Sequence, residues 1–119
     1  PVAPFVKTTS WNWNSPEEYI FCRKIAEGVF QATFYANHIE AAVIDEPWRE
    51  RFSMKFFHRR GWEGEEDART YNISTPYLFA PTESDKGNFV GTPDFEGKGG
   101  VYRFTINTNT KTMTFVKIN

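Results

Sequence analysis

From residue 101 to 108, apolar and polar side chains alternate without a break. Tyr102, Phe104 and Ile106 fall on one side of an extended chain, and Arg103, Thr105 and Asn107 on the other. A helix cannot use a period of two, because its faces repeat every 3.6 residues, so this stretch is a strand with one face to bury and one to wet. Gly99 and Gly100 open it, and Asn109, Thr110 and Lys111 supply the polar turn that follows. A β-branched and aromatic run then resumes over 112–118, so the C-terminal end reads as a hairpin.

The same pattern recurs upstream. After Gly28, residues 29–36 place Phe30, Ala32, Phe34 and Ala36 on one face and Val29, Gln31, Thr33 and Tyr35 on the other. Residues 39–44 form a second expected strand, and 19–25 a further one. Residues 52–58 alternate until Phe57, which falls on the polar side and implies that both faces are covered there. Ser15, Pro16, Glu17 and Glu18 could instead start a short helix, since serine caps, proline suits the first turn and acids favour that end. Residues 84–100 are rich in Gly, Asp, Lys and Pro and read as a long loop or a short edge strand between turns. Six to eight short strands with little helix point to an all-β fold, a two-sheet antiparallel β-sandwich of immunoglobulin-like or carbohydrate-binding-module-like type.

Length fits one domain: 119 residues fill a single sandwich, with residues 1–119 as one unit expected to be a piece of a longer multidomain protein. A net charge of -1 gives no overall field to attract nucleic acid, and no apolar run suits a membrane span, so neither nucleic acid nor direct membrane insertion is expected. One cysteine, Cys22, and two histidines, His38 and His58, are too few for a convincing zinc site, no phosphate loop or G-x-S-x-G element is present, and Asp85 to Asp94 is only weakly of the oxygen-rich kind that calcium wants. No cofactor and no metal are expected. The acidic run Glu63, Glu65, Glu66 and Asp67 has no second, well-separated acid to face across a scissile bond, so the chain reads as noncatalytic.

The unusual feature is the aromatic content, 18%, with four Trp in so small a domain. The stretch from Lys55 to Glu65 ends a strand in Arg59 and Arg60, turns at Gly61, and presents Trp62 beside Glu63 and Glu65. An indole stacks on the C–H face of a sugar while Arg and carboxylate groups reach its hydroxyls, so Trp62, Arg60 and Glu65 form the leading candidate site. The plain alternative is that Trp62 closes one end of the sandwich. Trp11 and Trp13, two apart, share a side on an extended segment and make a second candidate platform, or else plug the core. Trp48, in the connecting segment after Pro47, is the third candidate, or a staple beneath that segment.

The strand Gly28-Val29-Phe30, the run Phe52 to Phe57 with its Trp62 loop, and the closing Gly100 to Ile106 and Thr112 to Phe115 pair resemble the β-sandwich domains of SusE/SusF-like surface glycan-binding lipoproteins. The likeness covers about the last ninety residues. It implies a starch-utilisation-system-like domain strung behind a lipid anchor on the extracellular face of the cell outer membrane. It also implies noncatalytic binding of a polysaccharide or oligosaccharide, with neighbouring domains and an outer-membrane transporter complex as partners. By position, Arg60 and Trp62 match that family's contact loop, and Trp11 and Trp13 the segment facing it. The N-terminal strand lacks the family's opening pattern and Trp48 has no counterpart. An Ig-like spacer or protein-interaction domain is the alternative function.

Overall fold

In the computed structural model, which describes residues 4–8, 19–36, 53–59, 62–80, 89–91 and 100–119, ten strands form two five-stranded sheets. In chain order they are β1 (Phe5–Thr8), β2 (Tyr19–Phe21), β3 (Arg23–Ala26), β4 (Val29–Ala36), β5 (Ser53–Phe57), β6 (Asn72–Ser74), β7 (Leu78–Phe79), β8 (Phe89–Gly91), β9 (Gly100–Asn107) and β10 (Thr112–Lys117). One sheet has the order β2-β1-β5-β8-β7 and the other β3-β4-β9-β10-β6. All described pairings are antiparallel except β6 with β10, which run parallel. The fold is therefore an all-β sandwich with one mixed sheet.

The alternation in β9 is realised as read. Tyr102, Phe104 and Ile106 are buried, and Arg103 between them is exposed. They pack with Ala32, Met113 and Phe115 of their own sheet against Val6, Met54, Phe56, Leu78 and Phe89 of the other. Phe104 bridges the two layers, its ring 6.2 Å from Phe56 and 6.1 Å from Phe89. Tyr102 stacks on Phe115 at 4.9 Å and 5° within the sheet. Burying such rings supplies most of the driving force for closing the sandwich.

In β5, residues 54–57 are all buried, so both faces of that strand are covered, as the break in alternation at Phe57 requires. Met54 and Phe56 join the main core. On the opposite face Phe57 stacks on Phe5 at 5.4 Å, and Phe21 meets Phe5 edge-on at 6.1 Å.

Two turns lock together at one end. Asn107 Oδ1 accepts from the backbone N–H groups of Asn109 and Thr110, and Lys111 adopts φ 57, closing the β9 to β10 hairpin. Gly28, at φ 74, turns β3 into β4, and its carbonyl accepts from both the N–H and the hydroxyl of Thr108. A Cβ on Gly28 would collide with the Asn109 amide, so both the left-handed backbone and the close approach demand glycine.

Several expectations change. The stretch 19–25, read as one strand, is two: β2 lies in one sheet and β3 in the other, with Cys22 at the crossing. Its N–H donates to the Pro4 carbonyl at 2.8 Å, which holds the chain as it passes between layers. Phe89–Gly91 is no edge strand; it sits between β5 and β7. Strands β6 and β7 were not expected, because 72–74 and 78–79 are too short to show a period. The expected strand at 39–44 and the possible helix start at 15–18 lie outside the described residues.

Candidate functional site

Because β3, β4, β9 and β10 pair in register, their outward side chains form rows across the sheet. Arg23 stands opposite Gln31, Gln31 opposite Thr105, and Thr105 opposite Thr114; in the next row Thr33 faces Arg103. Hydrogen bonds fix these rows: Gln31 Nε2 donates to Thr105 Oγ1 at 3.0 Å, and Arg103 Nε donates to Thr33 Oγ1 at 3.1 Å. Tyr35, further along β4, is 66% exposed.

Beyond its pairing with Gln31, β3 gives way to Cys22, and the chain steps across to β2. That step brings Phe21 beside the outward face of the other sheet. The result is an open groove of about 340 Å³ lined by Phe21, Arg23, Gln31, Ala32, Thr33 and Arg103. Phe21 is 58% exposed although its ring also touches Phe5. None of the six described lining residues is acidic. Arg103 spends one of five N–H donors on Thr33, so the groove presents two guanidiniums, an amide and a wet ring.

A second cluster follows the end of β5. The chain leaves at His58, passes through a single 3-10 turn at Trp62–Gly64, and returns alongside β5, with Glu65 bridging Phe57 and Glu66 N–H donating to the Phe56 carbonyl at 3.0 Å. Gly64 approaches the Arg59 carbonyl so closely that any side chain there would clash. Glu65 Oε2 accepts from the buried Lys55 Nζ at 2.8 Å. Next to it, Glu66 accepts from Tyr71 Oη at 2.6 Å, His58 Nε2 at 2.7 Å and Lys111 Nζ at 2.9 Å. Burial pushes the Glu66 carboxyl up, but the three donors and the Lys111 charge outweigh it and hold it below the usual glutamate range. Burial first, and then the bond to Glu66, push the Tyr71 phenol far upward. Asp67 caps a further 3-10 turn at Ala68–Thr70 and takes a two-pronged contact from Arg69, at 2.9 Å and 2.7 Å. This cluster ties the connection after β5 to the turn between β9 and β10.

Of the candidates drawn from the sequence, Glu65 has a described side chain, and it is 13% exposed and paired inward with Lys55. Trp62 is described through its backbone alone, in the turn Trp62–Gly64. Arg60, Trp11, Trp13 and Trp48 lie outside the described residues. The structure instead brings together Phe21, Arg23, Gln31, Thr33 and Arg103, which the sequence reading did not single out. The outward set of β4 and β9 was legible from alternation. Phe21 and Arg23 were not, since a single strand at 19–25 would have put both on one sheet. Cys22, buried at the crossing, has its thiol pushed up to about 12 by burial, opposed by a backbone hydrogen bond from Val6. Among the described residues no group of three or more His, Cys, Asp or Glu is arranged to hold a metal ion, and no helix is long and apolar enough to cross a membrane.

Residues 2–109 match the model of a family described as "Domain of unknown function (DUF5121)". No curated protein and no solved structure matches the chain.

Proposed function

Because the chain belongs to the DUF5121 family, whose description assigns no activity, we propose its role from the site itself: a noncatalytic carbohydrate-binding module that holds a polysaccharide or oligosaccharide on the outward face of the β3-β4-β9-β10-β6 sheet. In this reading the parent is a SusE/SusF-like protein of the outer-membrane surface, working with neighbouring domains and a transporter complex. The observation that carries it is the groove, where the exposed ring of Phe21 stands beside Arg23, Gln31, Thr33 and Arg103.

A sugar ring offers an apolar C–H face and a rim of hydroxyls, so it needs an exposed ring and planar donors close together. A shallow, open groove suits a chain that runs past, and the sheet rows keep the polar groups in place before the ligand arrives. Each contact is weak alone, and repetition along a polysaccharide and across adjacent domains raises the total. Glu65, held by Lys55, steadies the Trp62 turn in this scheme.

Affinity electrophoresis through gels carrying individual polysaccharides tests the proposal. The wild-type domain is retarded in at least one gel, and Phe21→Ala migrates freely while keeping its far-ultraviolet circular dichroism. If no polysaccharide retards the wild type, the module reading falls and the spacer role gains.

A further inference from the structure

We infer that the groove selects negatively charged glycans, those whose sugars carry carboxylate or sulfate groups, over neutral ones. The inference rests on the carbohydrate-binding reading above and narrows its ligand class. It starts from a count of donors and acceptors. A neutral sugar hydroxyl both gives and takes a hydrogen bond, so a site for neutral glycans balances donors with acceptors. Here the balance is one-sided. Arg23 and Arg103 bring N–H donors only, the Thr33 oxygen has one of its two lone pairs taken by Arg103 Nε at 3.1 Å, and Gln31 contributes the one side-chain carbonyl among the described lining residues.

Nor do the described residues neutralise the two cations locally. None of the described lining residues is acidic, and among the described residues neither Arg23 nor Arg103 pairs with a carboxylate. Lys24, Lys55, Arg69 and Lys111 each face an acid at 3.1 Å or less, whereas Arg59 and Lys117, like the two groove arginines, pair with no carboxylate among the described residues. With a net charge of -1, the chain has no general attraction for polyanions, so any preference for them has to come from where its cations are grouped. Register sets the two arginines two strands and one two-residue step apart, about 12 Å between Cα positions from ordinary sheet spacing. Two anionic groups on one glycan chain meet that separation, with a sugar ring between them over Phe21. A guanidinium matches a carboxylate or sulfate edge with paired N–H bonds, which a lone hydroxyl cannot reciprocate.

Isothermal titration with three oligosaccharides tests this: an oligogalacturonide for carboxylates, a chondroitin sulfate fragment that adds sulfates, and a neutral xylo-oligosaccharide. At least one acidic ligand binds about tenfold or more tighter than the neutral one, and the preference shrinks as salt rises. Binding of the oligogalacturonide assigns carboxylate as a sufficient charge, whereas binding of the sulfated fragment alone assigns sulfate. Arg23→Gln and Arg103→Gln each weaken the acidic ligand about five- to tenfold and weaken the neutral one less, so that the preference narrows, while Lys117→Gln, an exposed cation near the end of β10, changes neither. Both arginines are exposed, so the variants fold, and thermal melts verify it. Equal or tighter binding of the neutral ligand overturns the inference and leaves the carbohydrate reading standing. An effect of Lys117→Gln as large as those of the arginines also overturns it, by showing diffuse attraction. Absence of binding by all three, together with no retardation in the polysaccharide gels, overturns both.

Discussion

Arg103 and Thr33 face each other across β9 and β4, and the guanidinium Nε donates to the threonine hydroxyl at 3.1 Å on the outward side of the sheet. The bond spans 70 residues of sequence and joins two elements that both carry groove residues. It fixes the plane of the guanidinium, and so the direction of its remaining donors. Thr33→Val keeps the β-branched shape and removes the acceptor. The expected outcome is a melting temperature within a few degrees of wild type and a loss of about fivefold in glycan affinity, from about 1 kcal/mol for one oriented hydrogen bond. Calorimetry on the variant checks both numbers.

Glu66 carries a pH dependence whose direction is fixed. Its carboxyl titrates below the usual range in the folded protein. The unfolded chain takes up a proton near pH 4.3, so the stability this group supplies is present above that value and disappears as pH falls through the lower folded pKa. Tyr71 acts at the other extreme: its phenol stays neutral when folded, while the unfolded phenol ionises near pH 10, so stability falls as pH rises past that point. Chemical denaturation from pH 2.5 to 11 is expected to show a loss on each side, the acid loss reduced in Glu66→Gln and the alkaline loss reduced in Tyr71→Phe.

Lys55 and Glu65 form a shielded ion pair, with side chains 4% and 13% exposed. Removing one partner leaves a charge with little water around it, so Glu65→Ala is expected to cost about 3 kcal/mol of stability. Replacing both with apolar groups, in Lys55→Met with Glu65→Leu, costs less than the single change. Urea denaturation of the two variants distinguishes a structural pair from a ligand contact, because glycan affinity is expected to survive whenever the domain stays folded.

Cys22 marks where the chain changes sheets, and the residue is 4% exposed. The unfolded thiol ionises near pH 8.5 and the folded one near pH 12, so the native protein is unreactive toward a disulfide reagent at pH 8. Labelling is expected to proceed only as the domain opens, accelerating with urea. Full reaction within seconds in the absence of denaturant would show that the crossing is open in the native state.

The regular part of the fold was written in alternation. β4 matched residue for residue, and the β9 to β10 hairpin matched to within a residue at each end, because both strands have one dry and one wet face long enough to show a period. Phe57 announced the covered second face of β5 by breaking the same pattern. What alternation cannot encode is a change of sheet. Tyr19 to Ile25 reads as one strand in the sequence, yet β2 before Cys22 and β3 after it belong to different sheets. That single step moves Phe21 beside Arg23, Gln31 and Arg103, and so the groove was not visible in the sequence. The parallel pairing of β6 with β10 was equally hidden, since Asn72, Ile73 and Ser74 hold their place through long-range bonds such as Asn72 N–H to the Lys111 carbonyl at 2.8 Å. The tryptophans drew attention by their rarity, whereas the groove relies on a phenylalanine and on residues common in any strand.

Amide chemical-shift mapping with a bound acidic oligosaccharide asks where on the sandwich the ligand rests. The largest perturbations are expected at Phe21, Arg23, Gln31, Thr33 and Arg103 and at the guanidinium Nε–H signals of the two arginines. Perturbations confined to other residues, for example those around Trp62, with the β3, β4 and β9 amides unmoved, would contradict the assignment of this groove.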